Sequence, residues 1–282
     1  MLNTEKKNLQ ESIRQKLRNL AVQRKRPVDE ILRYYAIERF LYRLGISNHV
    51  SRFFLKGGLM LKVWDRQGHR ATMDIDLLAR TSNQHENIRT IVKEVASIPV
   101  EGDGIIFNTD LLTLKEAQAG AEYHGLSVRF SAHLTKTRIP VQMDIGFSDV
   151  IIPEAQQVFY PTLMDMPAPQ LMGYTTETVV AEKLESIVKL GQFNTRMKDF
   201  FDLWTILCRD ELPIKSLKQA INEVFVNRGT KCEFPIAFTE VFFNDSLNIQ
   251  RWQTFLAGLG EEGPKLDVVV AGLRKKLSSY FD

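Results

Sequence analysis

Residues 53–78 read FFLKGGLMLKVWDRQGHRATMDIDLL, and the order of their parts decides the fold. The aromatic run Phe53-Phe54-Leu55 has the character of a short buried strand. Gly57 and Gly58 follow, then the helical-looking turn Leu59-Met60-Leu61. A strand that ends in two glycines and feeds a helix leaves main-chain N–H groups bare at the positive end of the helix dipole, which suits phosphate. Met73-Asp74-Ile75-Asp76-Leu77-Leu78 then alternates apolar and acidic residues. On a strand, residues i and i+2 share a face, so Asp74 and Asp76 project side by side while Met73, Ile75 and Leu77 face a core. Two carboxylates that close repel unless a cation lies between them, and oxygen-only ligands favour Mg2+. Two glycines alone are commonly a plain turn, and an Asp-x-Asp alone is commonly solvated or ion-paired. In this order they combine a phosphate cradle with a divalent-metal site, which points to nucleotide chemistry.

Working outward, residues 139–147 (IPVQMDIGF) place Val141, Met143 and Ile145 on one face of a strand and Gln142 and Asp144 on the other. A charge in so apolar a strand is costly without a partner. Asp144 is therefore a third ligand for a metal at Asp74 and Asp76, or an acid at a strand end bonded to nearby backbone. Between these segments, 83–98 reads as a helix with Ile88, Ile91, Val92 and Val95 inward. Residues 104–116 and 123–134 alternate as antiparallel strands, with Leu126, Val128 and Phe130 on one face. Upstream, Leu9, Ile13, Leu17, Leu20 and Ala21 recur at helical spacing over 4–24. Pro27 opens a second helix, ended by Gly45, whose apolar face is Ile31, Leu32, Tyr35, Leu41 and Leu44. Residues 1–45 hold eleven Lys and Arg against five acids. Their basic outer face suits nucleic-acid phosphate, a partner protein or plain solvent.

Downstream, Pro153, Pro161, Pro167 and Pro169 with little periodicity mark 150–172 as a connector. Beyond it the pattern turns helical. Thr176 is placed to cap a helix carrying Val179, Val180, Leu184, Ile187, Val188 and Leu190 and ended by Gly191. Lys183 lies within that apolar stripe, where its ammonium either snorkels to solvent or reaches a triphosphate. Arg196, Lys198, Asp199 and Asp202 crowd the start of the next helix. Such groups commonly form surface ion pairs of little worth, Lys198 with Asp202 at i,i+4 among them, unless they line a nucleotide cleft. The expected fold is α+β, a mixed sheet with flanking helices followed by a helical domain. Its boundaries fall at 1–45 for the basic helices, 46–152 for the core, 153–172 for the connector and 173–282 for the helical domain.

The 282 residues, 17 Phe among them, are enough for roughly two domains. A net charge of +3 makes the whole molecule no obvious polyanion binder. Cys208 and Cys232 lack zinc-site spacing and suit a reducing compartment. Polar residues follow Met1 and no apolar run reaches about 18 residues. The expected location is the cytoplasm.

In order, the marked residues are Gly57-Gly58, Arg70-x-Thr72-x-Asp74-Ile75-Asp76, Asp144, Ala181-x-Lys183 and Arg196-x-Lys198-Asp199-x-x-Asp202-Leu203. This succession resembles the AbiEii/AbiGii family of nucleotidyltransferase toxins, MenT-like members included, within the polymerase-β-type nucleotidyltransferase superfamily. The match spans about residues 50–205, and the fifteen residues between Gly58 and Asp74 exceed the superfamily's minimal pattern. The resemblance implies a polymerase-β-like core and a toxin of a toxin–antitoxin or phage abortive-infection system. It further implies an NTP co-substrate with Mg2+ (or Mn2+), and an acceptor that in some MenT-like members is the tRNA 3′ end, whose modification blocks translation. Carried onto this chain, Gly57 and Gly58 hold phosphate, Asp74 and Asp76 hold the metal, and Lys183 contacts the triphosphate. Asp199 becomes the base or substrate-orienting acid with Arg196 and Lys198 beside it, and Asp144 takes the place of the third acid. The implied partner is an antitoxin with a winged-helix DNA-binding domain. Competing readings are nucleotidylation or phosphorylation of a protein (the antitoxin included), a small-molecule acceptor, and a non-catalytic binding protein of the same fold. The intact acids argue against the last.

Overall fold

The computed structural model describes residues 2–64, 71–119, 123–209, 211–259 and 263–281; Arg70 lies outside them. The chain divides into two compact units, Met1–Ser148 with Gln156–Gly173, and Asp149–Ala155 with Tyr174–Asp282.

In the first unit α1 (Leu2–Gln23) and α2 (Val28–Gly45) precede β1 (Phe53–Leu55), α3 (Gly58–Trp64), β2 (Asp74–Ala79) and α4 (His85–Ser97). Then come β3 (Ile106–Ala119), β4 (Tyr123–Leu134), β5 (Thr137–Gly146), β6 (Gln156–Phe159) and β7 (Gln170–Gly173). Among the described residues these form one seven-stranded sheet of order β3-β4-β5-β2-β1-β7-β6. β2 is parallel to β5 and β1 to β7, and the other pairs are antiparallel. This is the mixed sheet with flanking helices that the alternation implied. The stretch expected as a connector, 153–172, instead supplies β6 and β7. Each is four residues long, with Val158 buried in one and Leu171 and Gly173 in the other. So short an alternation does not stand out among prolines.

Thirteen of the eighteen residues of α2 are buried, so it is a core helix rather than a basic outer one. Phe40 meets Phe107 and Phe130, with ring centroids 5.6 and 5.2 Å away. Arg39 and Arg43, expected on the outer face, are 0 % and 3 % exposed. Each is buried against an acid. Arg43 forks onto Asp103 at 2.6 and 3.3 Å, and Arg39 Nη2 lies 2.8 Å from Glu38 Oε1. The five-residue apolar stripe identified one packed side of α2, but ion pairing lets its charged sides be covered as well.

Glu38 Oε2 also accepts from Leu163 N at 2.7 Å, and the Lys62 ammonium sits 3.2 Å from the Tyr34 ring centroid. Burial pushes the Glu38 carboxyl up to about 7, against the opposing pull of Arg39. Burial brings the Lys62 ammonium down to about 7. A carboxyl raised in this way contributes its stability below the unfolded value of 4.5 and loses it as pH rises through 7. Lys62 runs the other way, contributing above 10.5 and losing that contribution as pH falls through 7. Glu38→Gln lowers stability through Arg39, and it is expected to flatten the decline between pH 4.5 and 7. Urea midpoints across that window check this, and an unchanged slope would exclude Glu38 as the titrating group.

The second unit is helical: α5 (Thr176–Leu190), α6 (Met197–Arg209), α7 (Ile214–Asn227), α8 (Glu240–Phe243), α9 (Ser246–Leu259) and α10 (Leu266–Leu277). The cap of α5 is Thr175 rather than Thr176, its hydroxyl accepting from Thr178 N at 3.4 Å. Phe200 stacks on Phe242 with centroids 5.3 Å apart. Among the described residues no helix is long and apolar enough to cross a membrane.

Candidate active site

Parallel β2 and β5 pair with Asp74 opposite Gln142 and Asp76 opposite Asp144. Ile75 and Leu77 of β2, and Val141, Met143 and Ile145 of β5, are buried. The two-residue period therefore turns Asp74, Asp76 and Asp144 onto one shared face, each half-buried. Gln142 Nε2 donates to Asp144 Oδ2 at 3.3 Å. β4 and β3 extend the ladder, so two rows cross this face. One is Thr113, Arg129, Gln142 and Asp74; the other is Lys115, Ser127, Asp144 and Asp76. Beside Asp74 opens a cavity of about 460 Å³ whose lining includes Arg33, Arg129 and Arg138.

Gly57 closes in on the acids from the β1 side. Lys56 N donates to the Asp76 main-chain oxygen at 3.0 Å. Gly57 has φ +66°, and a Cβ there would run into the Asp76 carboxylate. Only glycine allows that approach. Gly57→Ala is expected to displace Asp76 and lower activity about tenfold or more, with a loss of stability of about 1–3 kcal/mol from the left-handed backbone. Activity and thermal unfolding measured together check both halves.

Among the described residues, no three His, Cys, Asp or Glu side chains converge closely enough to enclose a metal ion. The donor chemistry nevertheless fits Mg2+, which takes one or two carboxylates and fills its shell with phosphate oxygens and water. A closed protein cage would be the wrong design for it.

In the second unit, Lys183 Nζ donates to Asp199 Oδ1 at 3.0 Å and to Asp202 Oδ2 at 2.7 Å. Arg196 Nε lies 2.8 Å from Asp199 Oδ2. Lys183 is 9 % exposed and each acid 1 %. The two acids at the start of α6 are thus buried on Lys183, while Arg196 reaches Asp199 from the surface. Lys198 is exposed, whereas Asp202 turns inward beside Met197, Phe200 and Leu203 to meet Lys183.

A sequence profile described as "Nucleotidyl transferase AbiEii toxin, Type IV TA system" matches residues 39–278. The chain belongs to the AbiEii nucleotidyltransferase toxin family. AbiEii membership makes it a nucleotidyltransferase toxin of a toxin–antitoxin system, with a nucleoside triphosphate as substrate and an antitoxin as partner. Its fold is shared with MenT4, a nucleotidyltransferase toxin from Mycobacterium tuberculosis H37Rv, at 15 % identity and a TM-score of 0.55 over 95 % of this chain and 97 % of that one. JHP933 from Helicobacter pylori is 16 % identical over 86 % of this chain and 90 % of that one, with a TM-score of 0.44. No curated protein matches.

This AbiEii chain also holds charged groups that sequence reasoning passed over. Arg228 reaches Asp149 at 2.9 Å, Glu182 at 2.6 Å and Glu185 at 3.0 Å. Burial works against its charge, but these three carboxylates outweigh it and raise the guanidinium's pKa. The available signal was Glu182 and Glu185 flanking Lys183 in an apolar stripe, since inward acids need partners. The three cavity arginines carry a weaker signal, which appears only once strand register is known.

Proposed function

We propose that the protein transfers a nucleotide from an NTP to the 3′ acceptor end of tRNA and so blocks translation, as an arm of phage defence. The supporting observation is the register that sets Asp74, Asp76 and Asp144 on one sheet face, with the Gly57 turn against Asp76. Asp74 and Asp76 would hold Mg2+ or Mn2+, with Asp144 as a neighbouring oxygen donor. When bound, the ion supplies charge for the departing pyrophosphate and lowers the pKa of the attacking hydroxyl. Gly57 and Gly58 offer bare main chain to the phosphates. Lys183, held by Asp199 and Asp202, contacts the triphosphate, and Asp199 with Arg196 and Lys198 orients the substrate. A terminal hydroxyl oxygen bonds to the α-phosphorus as its proton passes to solvent, the bond to the bridging oxygen breaks, and pyrophosphate leaves. The antitoxin in this reading carries a winged-helix DNA-binding domain.

The test is incubation with Mg2+, each α-32P-labelled triphosphate in turn and total tRNA, with Asp76→Ala alongside. Label on tRNA that is absent with the variant is the expected result. Label on protein would move the acceptor to a protein hydroxyl, and no label from any triphosphate would overturn the proposal.

A further inference from the structure

We infer that the arginine-lined cavity beside Asp74 binds the phosphodiester backbone of an RNA acceptor next to its 3′ end. The inference rests on the proposed function and adds the side from which the acceptor enters. In the sheet, β2 lies between β1, which leads into the Gly57 turn, and β5, β4 and β3, which carry the cavity. In-line displacement sets the attacking and leaving oxygens on opposite sides of the α-phosphorus. With pyrophosphate leaving toward Gly57 and Gly58, the attacking hydroxyl arrives from the β5, β4 and β3 side. Strands stand about 4.8 Å apart, so Arg129 lies about 10 Å and Thr113 about 14 Å from Asp74 along one row. A chain entering across that row passes the arginines before its end reaches the acids.

The chemistry of the cavity agrees. Arg33 comes from α2, Arg129 from β4 and Arg138 from β5. Arg129 Nε donates to Gln142 Oε1 at 3.0 Å, and Arg33 Nη1 to Met73 Sδ at 3.7 Å. Among the described residues, no carboxylate forms an ion pair with any of the three. Asp74 is the single acid of the lining against three guanidiniums, so the converging cations repel one another and an anion relieves that cost. A guanidinium fork matches phosphate oxygens two at a time. Asn108, Thr113 and Ser131 of the lining add amide and hydroxyl groups suited to ribose. A protein hydroxyl has no need of three guanidiniums, and a polyamine-like acceptor is repelled by them.

Arg129 and Arg138 are exposed, so the variant Arg129→Gln/Arg138→Gln should fold, as a thermal unfolding curve will show. The probe is a short 5′-fluorescein-labelled RNA with a free 3′ end, titrated by anisotropy at several salt concentrations. The double variant is expected to bind it about tenfold or more weakly, with a log–log salt slope shallower by about two. Its KM for the triphosphate should match the wild type. Unchanged RNA affinity, or no RNA binding by the wild type, overturns the inference. A raised triphosphate KM with RNA binding intact overturns it too, and gives the arginines to the NTP. If the wild type binds the RNA through these arginines but labels no tRNA, the subsite stands and the proposed tRNA acceptor falls. Asp76→Ala should bind the probe as the wild type does while its transfer falls about 10²–10³-fold or more, which separates binding from chemistry.

Discussion

Asp76→Ala is expected to reduce nucleotide transfer by about 10²–10³-fold or more, the scale seen when one preorganised charge-stabilising group is removed from an active site. Asp76 stands where three relationships meet. It shares a face with Asp74, is paired in register with Asp144, and lies against Gly57. Losing it therefore removes one oxygen donor and also the surface over which the glycine turn is folded. Stability should fall little, because carboxylates on one face repel and removing one relieves the others. Asp76→Asn keeps the shape and discards the charge, so it should lose activity to the same extent if charge is what matters. Turnover measured at saturating triphosphate decides the matter, and a variant with the wild-type rate would take the metal site away from β2.

The second large effect is on stability. Lys183→Ala leaves Asp199 and Asp202, each 1 % exposed, without the ammonium that both accept from. Breaking a buried pair by removing one partner costs about 3–5 kcal/mol. The unfolding midpoint should then fall by roughly 10 °C, at about 2–4 °C per kcal/mol. Lys183→Met combined with Asp199→Asn and Asp202→Asn should recover much of that loss, since no buried charge is stranded. The triphosphate KM of Lys183→Ala, taken well below its midpoint, separates the proposed ligand role from the structural one. An unchanged midpoint would mean that the two acids find other partners.

The acid face was readable because a strand's two-residue period needs only a few residues to declare itself. Met73 to Leu78 and Val141 to Ile145 each show it, and register then joined them. β6 and β7 were hidden for the converse reason, four residues apiece among prolines. Arg39 and Arg43 were misread because a helical wheel assigns cations to solvent, and only tertiary structure supplies Glu38 and Asp103 as buried partners. The same holds for Asp202. Its near neighbour in sequence, Lys198, is the obvious partner, but the ammonium that meets it comes from nineteen residues away. Pairing at that separation is set by packing, which local pattern does not contain.

The path of the chain also bears on how such a gene can change. After β5 the chain enters the second unit for Asp149–Ala155, returns to lay down β6 and β7, and re-enters at Tyr174. In that brief visit Asp149 meets Arg228 at 2.9 Å, and Ile152 exchanges hydrogen bonds with Thr178 at 2.9 and 2.8 Å. A single crossover after Gly173 would bring in a foreign helical unit and leave behind the seven residues that dock on the old one. The donor would have to supply its own equivalent of Arg228, or leave Asp149 without the guanidinium it meets here. The two units are therefore expected to be inherited as one piece, with variation accumulating by point substitution rather than by domain exchange.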